Sequence, residues 1–149
     1  MSTFTEIYPK LPQNIQTSLS DYDSVAKEDL YALIEEIVYH DNLDAFKAVI
    51  EAGCDVNLQN KYGWTLLHIT IRRDRRDMVA FLLEKNADID KIDGVGWTPL
   101  MEAIMDDLPD LCGYLVEKGA DTSIANARGV TAPMLVQKFG RQNMVAFFS

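Results

Sequence analysis

YGWTLLHIT at 62–70, VGWTPLMEA at 95–103 and RGVTAPMLV at 128–136 are three versions of one string, spaced 33 residues apart. Gly63, Gly96 and Gly129 fall in phase, as do Thr65, Thr98 and Thr131. A second register agrees: EAGCD at 51–55, EKNAD at 84–88 and EKGAD at 117–121. A third lies between them. Phe46, Val79, Cys112 and Val145 share one phase, and Val49, Leu82, Leu115 and Phe148 share another. Agreement of separate registers on one period is the signature of a repeat protein, whose units stack because none can bury its apolar face alone.

Each unit reads as two helices. Thr65 and Thr98 precede apolar runs, where a hydroxyl accepts from the free amides of a helix start. Pro99 follows at the first helical position, where proline loses no hydrogen bond. Ala132-Pro133 shifts that proline by one, still within the first turn. The first helix is expected to end near Asp74, Asp107 and Gly140, residue types that tolerate a sharp turn. Pro109 opens the second helix of its unit, and Gly53, Asn86 and Gly119 close the second helices.

The pattern G-x-T-P-L-H, a helix, then V-x-x-L-L-x-x-G-A-D resembles the ankyrin repeat, and GWTPLMEA at 96–103 with YLVEKGAD at 114–121 matches it most fully. The resemblance implies an all-α solenoid of about four helix-turn-helix repeats joined by short hairpin loops. The repeats are expected at 27–59, 60–92, 93–125 and 126–149, with residues 1–26 as an N-terminal extension outside the pattern. The first repeat is degenerate, with Leu30 in place of the turn glycine and Ala32 in place of the threonine. The last stops within its second helix, where phase with Val79 and Leu82 points Val145 and Phe148 inward and leaves Met144 and Phe147 partly exposed. Such an apolar end is expected to form a weak homodimer or to take a partner. The competing cover is residues 1–26 folded back over that end, with Phe4, Ile7, Tyr8 and Leu11 as the lid.

The chain carries a net charge of −9, which argues against nucleic acid, where cationic side chains supply most of the affinity. Residues 1–59 hold eleven Asp/Glu and three Lys/Arg, a net of −8; residues 60–149 hold twelve and eleven, a net of −1. The acidic half either steers a basic partner or is a solvated surface. No stretch approaches the roughly 20 apolar residues that cross a bilayer, and nothing between Met1 and Ala26 has the basic start and apolar run of a secretory signal. No membrane contact and a cytoplasmic location are therefore expected.

No catalytic, metal or cofactor site is expected. His68, within TLLH, is read as a structural bond between turns, and His40 as a helix-end cap or a partner contact. GVGWT at 94–98 is a hairpin glycine pair, not a strand–loop–helix phosphate cradle. Asp106, Asp107 and Asp110 lack the alternating ligands and bidentate Glu of a calcium loop. Cys54 and Cys112 replace small core residues in non-adjacent repeats and are not expected to pair.

A partner surface follows from the resemblance alone. Ankyrin stacks resemble a cupped hand, with hairpin tips as fingers and first helices as palm. Binding positions carried over from that family are Lys61, Tyr62, Trp64, Arg72 and Arg73 in the second repeat. Val95, Trp97, Met105 and Asp106 follow in the third, and Arg128, Lys138 and Phe139 in the fourth. Tyr31, Tyr39 and His40 match in the degenerate first repeat. The tryptophans have a second reading, packing on the neighbouring finger. The basic run RRDRR at 72–76 either grips an acidic groove or is a solvated turn. The function implied is a protein-binding module for one specific partner, with inhibition of a basic enzyme or toxin as its preferred form; the alternative is a structural or assembly adaptor that inhibits nothing. Stacks of about four repeats resemble cell-cycle kinase inhibitors and small bacterial ankyrin proteins that neutralise a toxin.

Overall fold

Four apolar stripes spaced by 33 residues have one way to become buried, which is to lie side by side, and the helices do so. A computed structural model of the chain describes residues 3–20, 22 and 29–148. The expected boundary at 26/27 and the terminal Ser149 lie outside the described residues. The helices are α1 (Phe4–Ile7), a 3₁₀ turn (Tyr8–Lys10), α2 (Gln13–Leu19), α3 (Leu30–Tyr39), α4 (Leu43–Glu51), α5 (Leu66–Arg72) and α6 (Arg76–Glu84). They continue with α7 (Pro99–Met105), α8 (Pro109–Glu117), α9 (Ala132–Lys138) and a closing 3₁₀ helix (Gln142–Phe148). The described residues contain no strand; one isolated bridge joins Gln59 to Thr65. None of their helices is long and apolar enough to cross a membrane.

Consecutive helices pair as α3–α4, α5–α6, α7–α8 and α9 with the closing 3₁₀ helix. The first helix of each pair packs on the first helix of the next, in the order α3, α5, α7, α9. One core runs through the stack, with Phe46, Leu66, Leu67, Ile71, Met78, Leu82 and Leu100 fully buried.

The local signals act where the sequence places them. Thr65 Oγ1 accepts from His68 N–H at 3.2 Å, and Thr98 Oγ1 from Met101 N–H at 3.1 Å. Pro99 and Pro109 open α7 and α8. The residues after the first helices, Asp41, Asp74, Asp107 and Gly140, all have φ between 54° and 62°. A left-handed residue there reverses the chain, and Asp bears it better than most side chains do. Gly53, Asn86 and Gly119, with positive φ, close the second helices.

The two ends depart from expectation. Ile7, Leu11, Ile15 and Leu19, spaced four apart, are buried at 1%, 4%, 6% and 0% exposure, and α2 packs on α4. The segment named as the competing lid for the C-terminal end covers the opposite one, with Phe4 and Tyr8 half-buried against the same core. At the other end the second helix of the last pair is a 3₁₀ helix. Met144 is fully buried and Val145 is 47% exposed, so Met144 takes the inward place expected of Val145. Phase with the α-helical units fails because a 3₁₀ helix turns once every 3.0 residues rather than 3.6. Phe148 packs on the core as expected, and Phe147 is 37% exposed. Its ring lies over α8, where a Cβ at Gly113 would stand 2.7 Å from Cζ.

Thr98→Val is expected to lower stability by about 1 kcal/mol through loss of its cap. Thr131 accepts no cap bond, so Thr131→Val should leave the denaturant midpoint nearly unchanged. Equal midpoint shifts for the two would show that the hydroxyls are not the source of the effect.

Candidate functional site

The hairpins are built by one device used three times. Asn60 Oδ1 accepts from Tyr62 and Trp64 N–H at 2.9 and 3.0 Å, Asp93 Oδ1 from Val95 and Trp97 at 3.0 and 2.9 Å, and Asn126 Oδ1 from Arg128 and Val130 at 2.9 and 3.0 Å. A short side chain that bonds its own backbone holds the turn without help from the core. The fingers then touch along the backbone: Gly94 N–H donates to Tyr62 O at 2.9 Å and Ala127 N–H to Val95 O at 3.2 Å. A Cβ at Gly63 would meet Gly94 N at 2.5 Å, so this contact requires glycine as well as its positive φ.

Palm and fingers are locked by His68. Thr65 N–H donates to Nδ1 at 3.1 Å, which places the ring proton on Nε2. Nε2–H donates to the Trp97 carbonyl of the next finger at 2.9 Å. Burial lowers the pKa of this imidazole, so it serves as a neutral strut.

On this frame the expected binding positions fall into three groups. The first finger carries Lys61, Tyr62 and Trp64, with Lys61 Nζ 5.0 Å above the Tyr62 ring and the Tyr62 and Trp64 rings 5.1 Å apart. Arg72 stacks on Trp64 at 4.2 Å and pairs with Glu102 at 2.6 Å. Asp106 stands beside Glu102; desolvation and the Glu102 carboxylate push its own carboxyl up to about 7, against the pull of Arg72 and Arg141. A second group gathers where α3 ends: Arg73 lies 5.0 Å over Tyr39, and His40 stacks on Tyr22 at 5.0 Å and pairs with Glu36 at 3.5 Å. The third, Lys138 and Phe139, lies at the end of α9, with Arg141 5.9 Å from the Phe139 ring. Val95 and Arg128 are exposed on the later fingers.

Exposure sorts these residues. Tyr39 (56%), Tyr62 (55%), Val95 (58%) and Phe139 (39%) are open apolar groups. Trp64, Trp97 and Met105 are half-buried against the core, so both tryptophans pack as well as present an edge. Tyr31 is buried, at 6%. Met134, at 53%, and Ile92, at 47%, are exposed apolar groups that the carried-over positions omit.

The run RRDRR sits at an exposed helix–helix turn, and most of its arginines bond within the chain. Arg75 Nε donates to Val38 O and Nη2 to Tyr39 O, both at 2.9 Å, with Asp41 at 3.8 Å. These carbonyls end α3, where Val38 O also accepts from Asp41 N–H at 3.1 Å. Arg141, 66 residues on, repeats the arrangement with Ile104 O at 3.0 Å, Met105 O at 2.9 Å and Asp107 at 3.6 Å. Arg76 bridges Asp74 at 3.2 Å and Asp110 at 2.8 Å. The run is a set of clamps between neighbouring units. Its signal, Arg75 and Arg141 in phase at twice the repeat, is present in the sequence.

Of the groups considered for chemistry, Cys54 and Cys112 are buried free thiols pushed up to about 12 by desolvation. No group of three or more His, Cys, Asp or Glu among the described residues is placed to hold a metal ion.

Arg75→Lys should destabilise the fold by roughly 1–2 kcal/mol, because an ammonium cannot span two carbonyls as the guanidinium fork does. Arg73→Lys, at an exposed ring contact, should change stability by less than about 0.5 kcal/mol. Chemical denaturation of the two variants checks this.

The sequence matches no curated protein. Residues 34–126 match the family model of ankyrin repeats, in three copies. The matched span runs from within α3 to the start of the third hairpin and contains α4 to α8, the link between the first two fingers and the His68 strut. The chain belongs to the ankyrin repeat family.

Proposed function

We propose that this chain binds one specific protein across its fingers and palm, and that binding inhibits or neutralises an enzyme or toxin with a basic surface. Ankyrin repeats are generally protein-interaction modules. The observation that carries the finer reading is the exposure of Tyr62 beside the Trp64–Arg72–Glu102 set and of Tyr39 under Arg73, with Val95 open on the next finger. Large aromatic groups and Arg dominate interface energetics. The charge supports a basic partner. Arg72, Arg75, Arg76 and Arg141 are occupied by acids or carbonyls of the chain itself, so the basic run offers little to an acidic partner. The net charge of −9 then acts outward, with Glu35 and Asp106 exposed on the palm. We divide the stack at 27–59, 60–92, 93–125 and 126–149, with residues 1–26 as an N-terminal extension whose helices at 4–19 cap the first end.

The test is capture of the partner from the native source, followed by titration of the partner's own activity with the chain. Loss of that activity at one equivalent supports inhibition; full activity in the complex supports the adaptor role. Tyr39→Ala with Tyr62→Ala is expected to weaken capture by about 2 kcal/mol or more while leaving the melting temperature nearly unchanged, since both rings are exposed. Normal binding by this double variant places the interface elsewhere.

Affinity for a basic partner should rise with pH through about 7, as Asp106 loses its proton and the palm gains a negative charge. The effect on folding has the opposite sign. A carboxyl raised in the folded state binds its proton more tightly there, so its stabilisation is complete below about 3.8 and is lost as pH rises through about 7. Asp106→Asn should flatten both profiles. Calorimetric titration of the complex and thermal melts at pH 6 and pH 8 read the two effects, and an unchanged profile in the variant would remove Asp106 from the account.

A further inference from the structure

A groove of about 850 Å³ opens between the N-terminal segment, the start of α3 and the first finger. Phe4, Tyr62 and Trp64 give it apolar walls, and Asp29, Tyr31 and Glu35 give it polar groups. Two of these have unmet bonding capacity. Tyr31 is 6% exposed, yet its hydroxyl makes no hydrogen bond among the described residues. Leaving such a group unsatisfied costs roughly 1–3 kcal/mol, and individual cases in a native fold call for an explanation. Glu35, exposed one helical turn further along α3, has no ion-pair partner within 4.0 Å among the described residues, although Arg72 and Arg73 are near enough to act on its charge. Desolvation, Asp29 and Glu36 hold its carboxyl above the usual range in spite of them. Asp29 is bound into the cap of α3, accepting from Tyr31 N–H at 3.0 Å and Ala32 N–H at 3.4 Å, and adds a fixed negative charge.

We propose that this groove takes an arginine side chain of the protein partner, with the Glu35 carboxylate and the Tyr31 hydroxyl as its polar ligands and the Tyr62 and Trp64 rings beside its stem. The proposal rests on the protein-binding reading above and names the anchor that reading lacks. A guanidinium fits on three counts. It pairs with a carboxylate through two parallel bonds. Its remaining N–H groups meet an acceptor such as a phenol oxygen, and its planar head and methylene stem lie well against aromatic rings. Lys61 is the single cation among the residues lining the groove, and its ammonium is turned to the Tyr62 ring, 5.0 Å from the centroid. The Tyr31 hydroxyl is closed to solvent in the unliganded conformation; the side-chain shift that brings it against a donor is of a kind common at interfaces. The N-terminal segment makes one wall, so the site belongs to the stack together with its extension.

The test uses the full chain, labelled for NMR, titrated with acetyl-arginine amide, acetyl-lysine amide and acetyl-glutamate amide. The arginine probe is expected to give saturable shifts at Tyr31, Glu35 and the Trp64 indole N–H with millimolar affinity, the lysine probe a weaker response and the glutamate probe none. Glu35→Gln should weaken the arginine probe at least about ten-fold. Tyr31→Phe should also weaken it while holding or raising the melting temperature, a combination that a purely structural hydroxyl would not produce. Absence of saturable shifts, equal response to the lysine or glutamate probe, or unchanged affinity in Glu35→Gln overturns the proposal. Capture of the native partner by wild type and Glu35→Gln alike, with no arginine-probe binding, would sink this site and leave the protein-binding reading standing. Probe binding without any captured protein would do the reverse.

Discussion

Each helix pair carries an apolar face that only the next pair covers. Leu66, Leu67 and Ile71 of α5 are buried together with Leu100 and Ile104 of α7, and that shared layer makes one core of four short units. Neither helix is long enough to be stable alone: α5, α7 and α9 have seven residues each, well below the length at which isolated helices persist. The caps, the left-handed turns and the hairpin side-chain bonds do not drive folding. They place the helices so that the layers meet in register.

A stack has two ends, and each needs a different solution. At the first, Ile7, Leu11, Ile15 and Leu19 form a stripe that closes the core. At the last, the chain tightens into a 3₁₀ helix that seats Met144 in the core and lays Phe147 over Gly113. The second arrangement is thinner and leaves Val145 and Phe147 partly open. Poorer hydrogen-bond geometry in a 3₁₀ helix makes this end the weaker one, and unfolding is expected to begin there.

Four of the eleven cationic side chains in the second half, Arg72, Arg75, Arg76 and Arg141, hold units together. Arg75 and Arg141 bond carbonyls at the ends of α3 and α7, and each has an Asp in the left-handed position beside it, Asp41 and Asp107. The palm keeps Glu35 and Asp106 exposed, together with the open rings of Tyr39 and Tyr62. The charges that tie units together and the charges left exposed are thus different members of one set.

The period, helix pairing, caps and turns were legible in the sequence because each depends on residues within about one unit: Thr98 with Met101, Pro99 at its helix start, Asp74 and Asn86 at helix ends. The clamp arginines and the Asn60, Asp93 and Asn126 turn-holders left periodic marks of the same kind, as did the four-residue spacing of Ile7, Leu11, Ile15 and Leu19. What that stripe covers was not legible, because a stripe states that it must be buried and not against what. The tertiary structure alone decided that it lies on α4, that Met144 rather than Val145 turns inward, and that Tyr31 and Glu35 face one groove with the first finger. Those outcomes depend on which surfaces meet across many tens of residues, and the free energy of such a meeting resides in neither partner alone.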